Sequence, residues 1–129
     1  NSAEIFVSIA CLDDPDVVDT VADLYARAKH PDRVSVGVCL QIEPNDPSYQ
    51  ALGDYDRVRL TTMHYADAKG PIFARYLCEQ LLRDEDYYLQ IDCHSRFFEN
   101  WDEILIGELD QEPRQPGSAA GFTREVDRD

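Results

Sequence analysis

No apolar run in the 129-residue chain approaches the ~18 residues that span a bilayer, so no transmembrane helix is expected. The first residues carry neither a basic start nor a long apolar centre, and no secretory leader is read from them. Neither G-x-x-x-x-G-K-[ST] nor G-x-G-x-x-G occurs, which removes the P-loop and Rossmann dinucleotide readings. Cations are scarce: 12 Lys+Arg stand against 26 Asp+Glu, giving a formal net charge of −14 and a pI near 4.4. A polyanion would meet repulsion rather than counterion release, so nucleic acid is disfavoured as a partner. The 4 cysteines, Cys11, Cys39, Cys78 and Cys93, form no C-x-x-C pair and sit mostly in apolar segments, where free thiols pack as small hydrophobes. A reduced, cytoplasmic protein is the expectation. No Ser-His-Asp or Cys-His nucleophile arrangement follows from the spacing, and no internal repeat is evident.

Against those absences stand 43% hydrophobic and 29% charged residues, an ordinary composition for one folded domain. Residues 4–11 (EIFVSIAC) form a nearly continuous apolar run, as a strand buried on both faces does. Asp14 and Pro15 then supply a cap and a first helical position. Val17, Val18, Val21, Leu24, Tyr25 and Ala28 keep one face apolar up to the stop at Lys29, His30 and Pro31. Residues 33–41 (RVSVGVCLQ) read as a second strand, and 42–56 as a long loop, either functional or disordered. Residues 58–63 (VRLTTM) read as a third strand. Gly70 and Pro71 open a second helix whose buried face is expected at Ile72, Phe73, Tyr76, Leu77 and Leu81. Glu79, Arg83, Asp84, Glu85 and Asp86 look like a solvated turn before a fourth strand, 87–92 (YYLQID).

Asn100 and Glu103 have the spacing of a capping box for a third helix. Trp101, beside Phe97 and Phe98, reads as core packing, and Asp102 with Glu103 as partners of the first-turn dipole. His30 reads as a helix-end cation rather than a ligand. The fold class is therefore α/β, an open and mostly parallel sheet flanked by helices. Residues 1–111 make up the domain, and 112–129 a polar tail or linker.

In open α/β sheets ligands collect beyond the carboxyl ends of the strands. Three such ends carry polar residues here: Asp13 and Asp14, then Gly70 to Arg75, then Asp92 to His94. Side chains two apart in an extended segment point to one side. Asp92 and His94 can thus converge on one cation, Mn²⁺ or Mg²⁺, with Cys93 turned to the core. The same pattern also fits a plain turn cap. Gly70 and Ala74 permit close approach on one helix face, and Arg75 suits either a phosphate or a surface carboxylate.

The strand from Ile5 to Ala10, Asp14-Pro15, Gly70-Pro71 with Ala74-Arg75, and the block from Glu85 to Asp92 with His94, Arg96-Phe97 and Trp101-Asp102 resemble one family across residues 4–110. It is the GlcNAc-transferase family whose characterised members modify hydroxyproline. The resemblance implies a GT-A fold, a UDP-sugar donor and a divalent metal, with Asp92 and His94 matching the family's variant of the DxD motif. Asp14 and Arg75 would frame the nucleotide, with Ala10, Asp13, Gly70 and Asp92 also in the donor site. It further implies metal-dependent transfer of GlcNAc from UDP-GlcNAc to a protein hydroxyl by a cytoplasmic enzyme, with retention at the anomeric carbon. Leu12-Asp13, Ile72-Phe73 and Leu40 depart from the family pattern. Family members also continue into a second half bearing the acceptor site, so the chain resembles the N-terminal, donor-binding part. A nucleotide-sugar-binding fragment without turnover and a non-catalytic α/β interaction domain are the alternatives.

Overall fold

The computed structural model describes residues 3–111 and 123–125. Strand β1 (Ile5–Leu12) pairs in parallel with β2 (Val34–Ile42) on one edge and β4 (Tyr87–Asp92) on the other, and β3 (Val58–His64) lies outside β2. The order β3-β2-β1-β4 makes β1 central, which explains why its residues are apolar without alternation. The α/β class with a parallel sheet flanked by helices is as the sequence predicts. Among the described residues no helix is long and apolar enough to cross a membrane.

Helices α1 (Asp16–Arg27) and α3 (Trp101–Gln111) cover one face of the sheet. Ile5, Val7 and Ile9 meet Val17, Val21 and Leu24 there, together with Trp101 and Leu105. On the other face α2 (Pro71–Glu79) docks through Ala74 and Cys78, with Leu77 partly buried beside them, against Ala10 of β1 and Cys39 of β2. This corrects the expected face of α2: Ile72 is 81% and Tyr76 54% exposed. The periodicity of large apolar residues misled, because the helix seats itself through its small ones. Cys78 lies close enough for its thiol to donate to the Ile9 carbonyl at 3.1 Å. The same face is tight around Gly37, where a Cβ would sit 2.4 Å from Phe6 Cζ.

The two ends of α1 are finished differently. At its start Asp14 Oδ1 accepts from Asp16 N–H at 3.1 Å, the expected cap. At its end the polypeptide entering α3 supplies the donors. Asn100 N–H reaches the Arg27 carbonyl at 2.7 Å and Trp101 Nε1 the Leu24 carbonyl at 2.9 Å. Asn100 starts α3 as the spacing suggests, its carbonyl accepting from Ile104 N–H at 3.1 Å, but with φ 61 it departs from the extended geometry of an N-cap. The buried Asp102 carboxylate, besides lying in the first turn of α3, accepts from Lys29 N–H at 2.7 Å and His30 N–H at 2.8 Å.

Two further expectations change. The long loop after β2 is ordered as a 3-10 segment (Pro47–Asp54) whose Tyr49 and Leu52 are buried in the main core. The turn before β4 is not simply solvated: the Glu85 side chain is 1% exposed and ion-paired with Arg59, whose Nη1 also donates to the Leu81 carbonyl at 2.7 Å. Residues 112–122 and 126–129 of the expected tail lie outside the described residues. Within that stretch β6 (Thr123–Glu125) pairs antiparallel with β5 (Ser95–Phe97).

Replacing Asp102 by Ala strips two backbone N–H groups of a charged acceptor and should cost about 2–3 kcal/mol of stability. Chemical denaturation will read this as a lower midpoint with unchanged slope. A second expectation concerns acid. Burial pushes the Glu85 carboxyl up, but hydrogen bonds from Arg59 and from the Arg83 and Glu85 N–H groups outweigh it and hold the carboxyl below its ordinary 4.5. The stability Glu85 contributes is therefore complete above pH 4.5 and lost as the pH falls through the depressed folded value. Unfolding free energies of wild type and Glu85→Gln, measured against pH, should differ at neutrality and converge in acid.

Candidate functional site

The chain runs outward from β1 through β2 to β3 and then returns to the far side of β1 as β4. The connections thus diverge between β1 and β4, and a crevice opens beyond the carboxyl ends of these two strands. Ala10 pairs with Asp92 in the last matched rung. Residues 12–14 leave β1 on one side, and residues 93–95 leave β4 on the other.

Three potential ligand atoms meet in this crevice. The side chains of Asp14, Cys93 and His94 each bring one such atom within 4.8 Å of the others. Asp14 Oδ2 lies 3.7 Å from His94 Nδ1 and accepts from the Cys93 thiol at 3.5 Å. Asp14 and Cys93 are buried, while the His94 side chain is 27% exposed. Contact with Cys11 and burial push the Cys93 thiol up, with His94 opposing. Asp14 and His94 offer a carboxylate and an imidazole, which fit an ion such as Mn²⁺, and the Cys93 thiol is a third donor beside them.

A bend fixes this geometry. Cys93 and His94 form a bend after β4, yet the burial still alternates there, with Asp92 and His94 more exposed than Cys93 between them. Cys93 keeps the parity of Leu89 and Ile91 and joins their core cluster, while Asp92 is exposed and outside the three-residue group. Thr20 of α1 clamps the bend, its hydroxyl donating to the Cys93 carbonyl at 2.8 Å and accepting from Ser95 N–H at 3.0 Å. Arg96 ties the same strand to α1 through both Asp16 oxygens at 2.9 and 3.1 Å. Neither Thr20 nor the role of Cys93 stands out in the sequence. Cys93 turns to the core as its alternation with Asp92 and His94 predicts; its meeting with Asp14 is what the sequence does not announce.

The other expected residues distribute around the crevice. Asp13 adopts φ 44, donates its N–H to Gln41 at 2.9 Å and accepts at Oδ1 from the Tyr49 hydroxyl at 3.0 Å. Burial, reinforced by this bond to Asp13, pushes the Tyr49 hydroxyl up and keeps it a donor. Asp13 is therefore turned toward the loop after β2, and Leu12 beside it is 60% exposed. Gly70 heads α2 at φ 95, a conformation that favours glycine, and Arg75 is exposed one turn later. Ala10 packs against the Cys39, Ala74 and Cys78 cluster below this helix. His30 gives its backbone N–H to Asp102, away from the crevice.

The family model described as Glycosyltransferase (GlcNAc) matches residues 4–56 and 49–117. The first segment contains β1 and Asp14, and the second contains Gly70, Arg75, Asp92 and His94. No curated protein matches the chain. The two segments run continuously from residue 4 to residue 117 of 129 and take in both walls of the β1–β4 crevice, so the chain belongs to the GlcNAc glycosyltransferase family.

Proposed function

We propose that the β1–β4 crevice binds the diphosphate of a UDP-sugar, UDP-GlcNAc in our reading, for metal-dependent transfer to a hydroxyl of a protein acceptor. The observation that carries this reading is the meeting of Asp14, Cys93 and His94 at the topological switch point of a glycosyltransferase-family sheet. A sheet in this class delivers ligands to that end, and a carboxylate with an imidazole there can hold a divalent cation such as Mn²⁺. Such a cation, when bound, supplies a Lewis acid and template for the diphosphate leaving group.

The protein's own residues would act as follows. His94, 27% exposed, presents its imidazole to the crevice as a metal ligand. Asp92, exposed at the end of β4, is the second ligand in the expected pair. Asp14 stands on the Nδ1 side of His94 and orients the ring, as carboxylates behind ligating histidines do. Thr20 and Arg96 hold the bend rigid, and Arg75 approaches phosphate from α2. A second reading makes Asp14 itself a ligand, favoured by its place within the three-residue group. We carry a GT-A architecture, hydroxyproline as acceptor, retention at the anomeric carbon and a cytoplasmic setting as expectations from the family resemblance. A non-catalytic α/β interaction domain that has lost the donor chemistry is the rival that Leu12 favours, since its 60% exposed side chain leaves the β1 end without the family's usual aromatic and basic pair.

Calorimetric titration of UDP with Mn²⁺ should show saturable binding that EDTA abolishes. Asp92→Ala and His94→Ala should each weaken it roughly tenfold or more, the scale of losing a ligand. An unchanged affinity in Asp92→Ala with a collapse in Asp14→Ala would transfer the ligand role to Asp14. Metal-independent binding, or none, would sink the donor-site reading. Binding without sugar release to water or to a hydroxyproline peptide would select a nucleotide-sugar-binding domain without turnover.

A further inference from the structure

At the opposite end of the sheet, where β2 and β3 begin and the chain approaches β4, lies a cleft of about 540 Å³ lined by Ser35, Asp56, Arg57, Val58, Arg59 and Arg83. Its composition runs against the whole chain. Only 12 Lys+Arg oppose 26 Asp+Glu in the sequence, yet arginine supplies three of these six lining residues. Arg59 is already committed to Glu85 and the Leu81 carbonyl. Among the described residues neither the Arg57 nor the Arg83 guanidinium has an ion-pair partner, and Asp56 supplies a carboxylate at the same cleft. Ser35 adds an independent sign. It is 1% exposed, and its Oγ has no hydrogen-bond partner, an arrangement that costs free energy in a folded core unless something else satisfies it.

The geometry points to a second ligand site here, for a phosphate-class dianion. Two unpaired guanidinium forks carry the positive charge that a dianion matches, and Arg recognises tetrahedral oxyanions through paired N–H donors. With the Ser35 hydroxyl added, the donors outnumber what the two oxygens of a carboxylate accept in one plane. The volume falls in the ~300–1,000 Å³ range of small-molecule sites, so a phosphate monoester of a small organic molecule fits the space. The site lies at the amino ends of the strands and does not depend on the donor-site reading. Its occupant would join edge strand β3 to the turn before β4, because Arg57 and Arg59 flank the start of β3 while Arg83 lies in that turn.

Inorganic phosphate is the probe, titrated into the chain at constant ionic strength with chloride in exchange, and followed by amide chemical shifts and thermal midpoint. The expected result is saturable binding, a raised midpoint and shifts at residues 35, 57–59 and 83. Arg57→Gln and Arg83→Gln should each weaken phosphate roughly tenfold, while circular dichroism and Mn²⁺-dependent UDP binding stay as in wild type. Acetate, a planar monoanion, should not compete. Three outcomes overturn the proposal: no saturation in the millimolar range, affinity unchanged in both variants, or shifts confined to residues 13–14 and 92–94. The last would mean that phosphate enters the β1–β4 crevice instead. Should either Gln variant lose its native circular dichroism, Arg57→Lys and Arg83→Lys decide the matter: they keep the charge without the fork, and phosphate affinity equal to wild type in both also overturns the proposal.

Discussion

Strand β1 has no free edge and almost no free face, and that confinement governs the rest of the molecule. Parallel neighbours take its hydrogen bonds on both sides, α1 and α3 cover one surface, and α2 covers the other. A strand so enclosed admits no charged side chain, and Ser8 is its one buried hydroxyl, so its carboxylates are displaced to the end. Asp13 and Asp14 appear there, beside the end of β4. The candidate site is thus a product of the same burial that stabilises the sheet.

What makes the crevice specific is the bend at residues 93–94, not the strands themselves. Two parallel strands ending together give only a gap. The bend turns Cys93 inward and His94 outward, and Thr20 satisfies both the Cys93 carbonyl and the Ser95 N–H that the bend would otherwise leave unpaired. One hydroxyl from α1 thereby fixes the ring that faces the crevice. Arg96 and Asp16 repeat the tie one residue further on. The site is rigid on its β4 side because a helix from the opposite sequence half holds it.

The sequence made the elements legible wherever burial was two-sided or the caps were chemically distinct. Strand 87–92 emerges with the bounds Tyr87–Asp92, and Pro15 and Pro71 mark helix starts correctly. It misled where size stood in for burial: in α2 Ile72 and Tyr76 face outward, while close packing on a sheet selects Ala74 and Cys78 with Leu77 beside them. It also misled where a charge finds a distant partner. Glu85 reads as solvent-facing until Arg59 is brought to it from β3, and Asp102 reads as a local dipole partner until residues 29–30 fold back onto it. Within the site the residue types were legible, but the pairing was not. Alternation sets Asp92 and His94 apart from Cys93, but the meeting of Cys93 and His94 with Asp14 depends on the β1–β4 pairing and no local residue announces it.

The pairing of β1 with β4 has a kinetic consequence. Asp14 and Cys93 are 79 residues apart in sequence, and Thr20 and Cys93 are separated by 73. Strands β1, β2 and β3 can zip together through shorter crossovers, but closing the crevice requires the largest loop in the sheet to be formed, with the entropy that entails. A partly folded chain can therefore hold three strands and two faces of core and still possess no site. Ligand capture at the crevice reports completion of the topology, and nascent intermediates are blind to the ligand until the last strand has docked.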